Sequence, residues 1–130
     1  MGNKFDINKL PDEYIDIYNR LIMPVETDIE ISSVILSDEN AKKITRFIKE
    51  YSRKEMFEEY GLRPMNRILM YGASGTGKTY LTKALSNHLN YTMLYVDISK
   101  SLTEGNVSKN ISEIFKLGDY LGECVLFFDE

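Results

Sequence analysis

The chain has 130 residues, of which 43% are hydrophobic and 28% are charged, so it has the composition of a globular protein and the length of one ordinary domain. A formal net charge of −4 gives no electrostatic reason to expect non-specific binding to nucleic acid or to an anionic membrane. The single cysteine excludes an intrachain disulfide, and no stretch approaches the roughly 20 apolar residues of a membrane span. We therefore expect a cytoplasmic protein that does not bind membranes.

Residues 1–33 have the weakest pattern in the chain. Pro11, followed by two acidic residues, predicts the start of a helix, and apolar residues then recur at helical spacing until about Met23. Pro24 ends that pattern, and a weak alternation after it predicts extended chain. We interpret 1–33 as a helical and extended segment that precedes a domain at 34–130.

The remaining pattern predicts alternating helices and strands. Ser37, followed by two acidic residues, favours a helix start, and a second helical stretch at 53–60 stops at Gly61. Further helices are predicted after Lys78 and after Asn106. Three apolar stretches suit parallel strands covered on both faces, at 67–71, 91–97 and 124–128. The predicted fold is α/β, a three-layer sandwich with helices on both faces of a short parallel sheet.

The stretch 72–79, Gly-Ala-Ser-Gly-Thr-Gly-Lys-Thr, fits G-x-x-x-x-G-K-[ST] between a predicted strand and a predicted helix. Its glycines allow backbone N–H groups to turn toward an anion, and the helix dipole adds positive potential at the same point. Lys78 would reach the β- and γ-phosphates, and the Thr79 hydroxyl would hold a bridging Mg²⁺. The alternative is a glycine-rich turn without a ligand.

Asp129 and Glu130 follow the apolar stretch at 124–128. Downstream of a phosphate loop, such a pair supplies an aspartate to the Mg²⁺ shell and a glutamate that deprotonates the attacking water. A base in that position favours hydrolysis over transfer, because a kinase must keep water away from the γ-phosphate. The alternative is an acidic pair that only caps a strand.

With these motifs, the chain resembles the N-terminal part of an AAA-type ATPase module over about residues 34–130. The stretches that carry the resemblance are Tyr60–Pro64, Arg67–Thr79, Asp97–Ser99, Gly105–Ile111 and Leu126–Glu130. The resemblance implies ATP and Mg²⁺ as cofactors, with phosphate and metal bound by Gly75, Gly77, Lys78, Thr79 and Asp129, and Glu130 as the catalytic base. The other nucleotide contacts it implies are Gly72, Ala73, Ser74, Thr76 and Tyr80, together with Ile35 and Leu36 beside the adenine.

The resemblance also implies ATP hydrolysis coupled to remodelling of a macromolecule, protein rather than nucleic acid, by a homo-oligomeric ring. Thr103 and Glu104 stand where protein-threading members carry an aromatic and an aliphatic residue, which puts a pore grip in question. Two alternatives stay open. One is a nucleotide-binding switch with little turnover, and the other is a DNA-associated loader, which would need a basic surface.

In the family, the arginine finger, the γ-phosphate sensor and the helical lid follow the position of Glu130, so we expect this chain alone to be inactive or very slow. The family's sheet order places the strand at 124–128 between those at 67–71 and 91–96. One edge of the 67–71 strand would then lack a neighbour. We expect the chain to self-associate through that edge or to cover it with its N-terminal segment.

Overall fold

A computed structural model describes residues 6–73 and 77–129. The chain divides into two compact units, one comprising Val34–Lys78 and the other comprising the residues up to Ser33 together with those from Thr79 onward. In chain order, the described α-helices and strands are α1 (Asp12–Leu21), β1 (Ile22–Val25), α2 (Asp38–Ser52), α3 (Lys54–Glu59), α4 (Lys78–Leu89), β2 (Thr92–Val96), α5 (Ile98–Thr103), α6 (Val107–Leu121) and β3 (Cys124–Phe128).

The described strands form one sheet with the order β1-β2-β3. β2 and β3 are parallel, with Thr92 opposite Cys124, whereas β1 runs antiparallel to β2 with Ile22 opposite Val96. Helices lie on both sides of this sheet. The α/β architecture is therefore confirmed, and so is the parallel pairing of the second and third predicted strands.

The core of the sheet-containing unit lies between the sheet, α1 and α6. Leu94 and Val96 are both fully buried, and they share a face because alternate residues of a strand point to the same side. Burying such a side chain contributes about 1.5–3 kcal/mol. The cluster consists of Leu10, Ile17, Tyr18, Leu21, Ile22, Leu94, Val96, Ile114 and Leu117. The apolar stripe predicted for the first helix is thus a packing face in its own unit.

β1 was not predicted, because a proline inside a short stretch argues against a strand. The register explains why Pro24 is tolerated. The Asp97 amide donates to the Leu21 carbonyl at 2.8 Å, which makes Ile22 and Val96 a non-hydrogen-bonded pair. Pairs alternate along an antiparallel ladder, so Pro24 and Leu94 form the next such pair, and the proline nitrogen points away from β2. The missing N–H therefore costs the β1–β2 ladder no bond.

The strand predicted at 67–71 is not present, and the sheet is not wholly parallel. Residues 62–71 adopt no regular secondary structure, and Leu69 and Tyr71 are 86% and 89% exposed. An apolar run signals burial, but a strand also requires a neighbouring strand that accepts its backbone bonds, and local sequence does not specify that neighbour. The edge proposed for self-association therefore does not exist along 67–71. The N-terminal segment does join the sheet, but through β1 on β2.

The Val34–Lys78 unit contains α2 and α3. The Ser37 side chain accepts a hydrogen bond from the Asn40 amide at 3.2 Å, which confirms the predicted helix cap. Gly61 has a φ of 71°, and the Leu62 amide donates to the Phe57 carbonyl at 2.8 Å. This is the left-handed stop expected at the end of the second helical stretch.

Candidate functional site

The phosphate loop is described at both of its ends. Ser74, Gly75 and Thr76 lie outside the described residues, while Gly72, Ala73 and Gly77 are exposed. Gly77 has a φ of 95°, a conformation open to glycine but strained for other residues. α4 begins at the next residue, so the loop ends at the N-terminus of a helix, as predicted. Backbone N–H groups at such a terminus favour an anion.

Lys78 bends back across the loop that it ends. Its Nζ donates a hydrogen bond to the Gly72 carbonyl oxygen at 2.9 Å, and the two residues lie at opposite ends of the motif. The ammonium group is thus held beside the loop by an acceptor that a phosphate oxygen can replace, because both accept from N–H and the phosphate carries negative charge.

Thr79 and Tyr80 occupy the first turn of α4. Thr79 is half-buried, and the Tyr80 phenol, on a side chain 43% exposed, lies 2.9 Å from the Ser33 hydroxyl. Ile35 and Leu36, which the resemblance places beside the adenine, follow Ser33 in the other unit. Ile35 is 97% exposed, and Leu36 is half-buried.

Asp129 follows β3 directly, and Glu130 lies outside the described residues. The Tyr95 hydroxyl on the adjacent strand donates to Asp129 Oδ2 at 3.3 Å, so a neighbour in the sheet orients the carboxylate. Asp97, which directly follows β2, has a structural role. It caps α5 by accepting from Ser99 Oγ and the Lys100 amide, and these two hydrogen bonds, with that from Ser99 the larger influence, lower the pKa of its carboxyl group.

No group of three or more His, Cys, Asp or Glu side chains within 6–73 and 77–129 could hold a metal ion. Mg²⁺ at a nucleotide does not need such a group, since it takes one or two protein oxygens and completes its shell from phosphates and water. The Thr79 hydroxyl and the Asp129 carboxylate are oxygen donors of this kind. The residues present therefore fit Mg²⁺ bound together with a nucleotide.

The end of α5 and its connection to α6 contain the positions predicted to bear on a pore grip, Thr103 and Glu104. Asn110 is 4% exposed, and its Nδ2 donates to the Ser101 carbonyl at 3.2 Å and also to the Glu104 carbonyl. The Glu104 carboxylate pairs with Arg20 of α1 at 3.5 Å. Sequence reasoning missed Asn110 and Arg20. In the sequence, the one sign of the Asn110 contacts was a polar residue on the inward face of α6.

The comparisons with known proteins bear on these motifs directly. Residues 68–130 match the family model for the ATPase family associated with various cellular activities (AAA). These residues belong to an AAA-type ATPase module. The match begins within the apolar run before the phosphate loop and includes the acidic pair, so it covers both motifs on which the predicted AAA resemblance mainly rests.

Among curated relatives of this chain, the 26S proteasome regulatory subunit 4 homolog of Oryza sativa subsp. japonica is 37% identical over 78 residues, which are 58% of this chain and 17% of that protein. The proteasome-activating nucleotidase of Methanopyrus kandleri is 28% identical over 129 residues, or 95% of this chain and 29% of the relative. The subunit 4 homolog of Encephalitozoon cuniculi is 28% identical over 122 residues. The chain thus spans less than a third of each relative. Within its described part, no helix is long and apolar enough to cross a bilayer.

Proposed function

We propose that this chain binds ATP with Mg²⁺, and that the protein to which it belongs hydrolyses ATP to remodel a protein substrate. The observation that carries the proposal is the position of Lys78, the first residue of α4. Its Nζ lies 2.9 Å from the Gly72 carbonyl oxygen. A cation beside a glycine-rich loop at a helix N-terminus is suited to a polyphosphate. In the proposed complex, a phosphate oxygen replaces the Gly72 carbonyl as the acceptor.

The proposed roles of the other residues follow from their chemistry. The backbone of the loop, including Gly75 and Gly77, donates to the phosphates, and the Thr79 hydroxyl and Asp129 carboxylate hold Mg²⁺. Mg²⁺ supplies neutralisation of the charge on the β- and γ-phosphate oxygens. Glu130 accepts a proton from the attacking water. The adenine rests against Ile35 and Leu36, whose apolar side chains suit an aromatic ring.

The AAA resemblance supports the proposal of a ring of identical subunits, and the relatives support the proposal of a protein substrate. Their names describe proteasome regulatory subunits and a proteasome-activating nucleotidase. The net charge of −4 also argues against a DNA-associated loader. Thr103 and Glu104 are polar, so we propose that this protein engages its substrate without an aromatic grip at that position. The ATPase-domain sequence in this proposal extends over 34–130, with 1–33 as a preceding segment.

Nucleotide binding is tested by titrating a fluorescent ATP analogue with Mg²⁺ into the chain and two variants. Lys78→Ala removes the phosphate-binding ammonium, and we expect it to weaken binding by roughly ten- to a hundredfold, the range for a hydrogen bond to a charged group. Lys83→Ala is the matched control, because it removes the same charge from the same helix five residues later. Equal affinities for the two variants would refute the phosphate-site proposal.

A further inference from the structure

One hydrogen bond joins the two chain segments that flank the Val34–Lys78 unit. Ser33 is the last residue before that unit, and Tyr80 is the second residue after it. Their hydroxyl oxygens lie 2.9 Å apart. Both residues belong to the sheet-containing unit, so the contact lies within that unit.

The direction of this bond follows from the donors available. The Ser33 hydroxyl also lies 2.7 Å from the Glu30 carbonyl, which can only accept. A hydroxyl has a single proton, so Ser33 donates to Glu30 and its oxygen accepts from the Tyr80 phenol. The Ser33 amide donates to the same carbonyl at 3.0 Å. The acceptor for Tyr80 is therefore held in place by a short turn.

A second bond secures the same segment further along α4. Asn87 Nδ2 donates to the Ile29 carbonyl at 2.9 Å. Tyr80 and Asn87 are seven residues apart, which places them on the same face of α4 two turns from each other. Residues 29–33 are thus attached to α4 at two points, one of which is in its first turn.

We propose that Ser33 and Tyr80 are positioning residues for the nucleotide, and that their hydrogen bond acts as a clasp. The proposal rests on the function proposed above. Ile35 is two residues beyond Ser33, so their Cα atoms are at most about 7 Å apart, and Thr79 adjoins Tyr80. The clasp therefore restrains the chain immediately before Ile35 and immediately after Thr79. Its loss weakens binding of the base and leaves binding of the phosphates intact.

The test compares Tyr80→Phe, Ser33→Ala and the double variant, with Tyr60→Phe as the control. Tyr60 is 76% exposed, and the change there also removes one phenol oxygen. For the ATP analogue with Mg²⁺, we expect each clasp variant to bind about two- to tenfold more weakly, which corresponds to one neutral hydrogen bond. The double variant should be no weaker than the weaker single variant, because both remove the same bond. The affinity of Ser33→Ala for inorganic tripolyphosphate should not change.

A second readout tests the clasp without any ligand. Amide hydrogen exchange in residues 31–36 of the nucleotide-free chain should be faster in Tyr80→Phe than in Tyr60→Phe. Additive losses in the double variant, an equal loss of tripolyphosphate binding, or exchange that matches the control would each overturn the inference. If the wild-type chain binds neither ATP nor tripolyphosphate, the nucleotide-binding proposal fails, and the positioning role fails with it. If the variants bind tripolyphosphate normally and their affinity for ATP is unchanged, only the positioning role is overturned.

Discussion

Asn110→Ala should destabilise the chain through the connection between α5 and α6. The side chain is 4% exposed, and its Nδ2 is the donor to two backbone carbonyls, those of Ser101 and Glu104. Alanine removes both bonds at once and leaves no side chain that can replace them. The Ser101 residue is itself 2% exposed, so water has little access to its carbonyl.

The size of the effect follows from three contributions. A carbonyl buried without a donor costs about 1–3 kcal/mol, and the more accessible Glu104 carbonyl should cost nearer 0.5–1 kcal/mol because water can reach it. Alanine has a better helix propensity than asparagine by up to about 0.7 kcal/mol, which offsets part of the loss. We therefore expect a net reduction in the free energy of unfolding of about 1–3 kcal/mol.

The measurement is urea unfolding followed by circular dichroism, with Asn19→Ala as the control. Asn19 is an exposed residue inside α1, so the control makes the same change in helix propensity without removing a buried donor. It should be neutral or slightly stabilising. Hydrogen exchange should also be faster in residues 98–106 of Asn110→Ala. If the two variants unfold at the same urea concentration, the reasoning from buried carbonyls is refuted.

Two further predictions concern the turn after α6 and the strand that follows it. Gly122 has φ 76° and ψ −84°, and the Glu123 amide donates across it to the Leu121 carbonyl. Gly122→Ala should therefore lower the free energy of unfolding by about 1–3 kcal/mol. Thermal unfolding measures this, and an unchanged melting temperature would contradict the strained turn. Burial, with a smaller influence from Asp119, raises the pKa of the Cys124 thiol from 9.0 to about 11. Iodoacetamide at pH 8 should therefore alkylate the native chain about a hundredfold more slowly than the urea-unfolded chain, and equal rates would contradict this. Because the folded state keeps this proton longer, the stability of the chain relative to Cys124→Ala should fall as the pH rises from 9 to 11, and an unchanged difference would contradict the raised pKa.

Local signals in the sequence predicted much of the fold. Caps and breakers act within a few residues, so the helix start at Ser37 and the stop at Gly61 could be predicted from neighbouring residues alone. The stretches 92–96 and 124–128 were also predicted correctly as parallel strands. The errors concern pairing between distant segments. Apolar character did not make 67–71 a strand, and β1 depends on a register that turns the Pro24 nitrogen away from its neighbour.

In the candidate site, too, local features could be predicted and contacts between distant segments could not. The loop motif and Asp129 were recognised from residue type and spacing, because phosphate and Mg²⁺ chemistry restricts both. The contacts that orient these residues could not be predicted. Tyr95 reaches Asp129 because two distant strands are neighbours, and Tyr80 reaches Ser33 because residues 29–33 run along α4. Nothing in the local sequence specifies either arrangement.

The outward orientation of the Pro24 nitrogen has a consequence for how copies of this chain could associate. β1 lacks an amide donor on its outer side at that position, and this discourages another strand from adding there. β3 has no proline between Cys124 and Phe128, and among the described strands it has a neighbour only on the β2 side. Among the described strands, β3 therefore lacks the feature that discourages an added strand at β1.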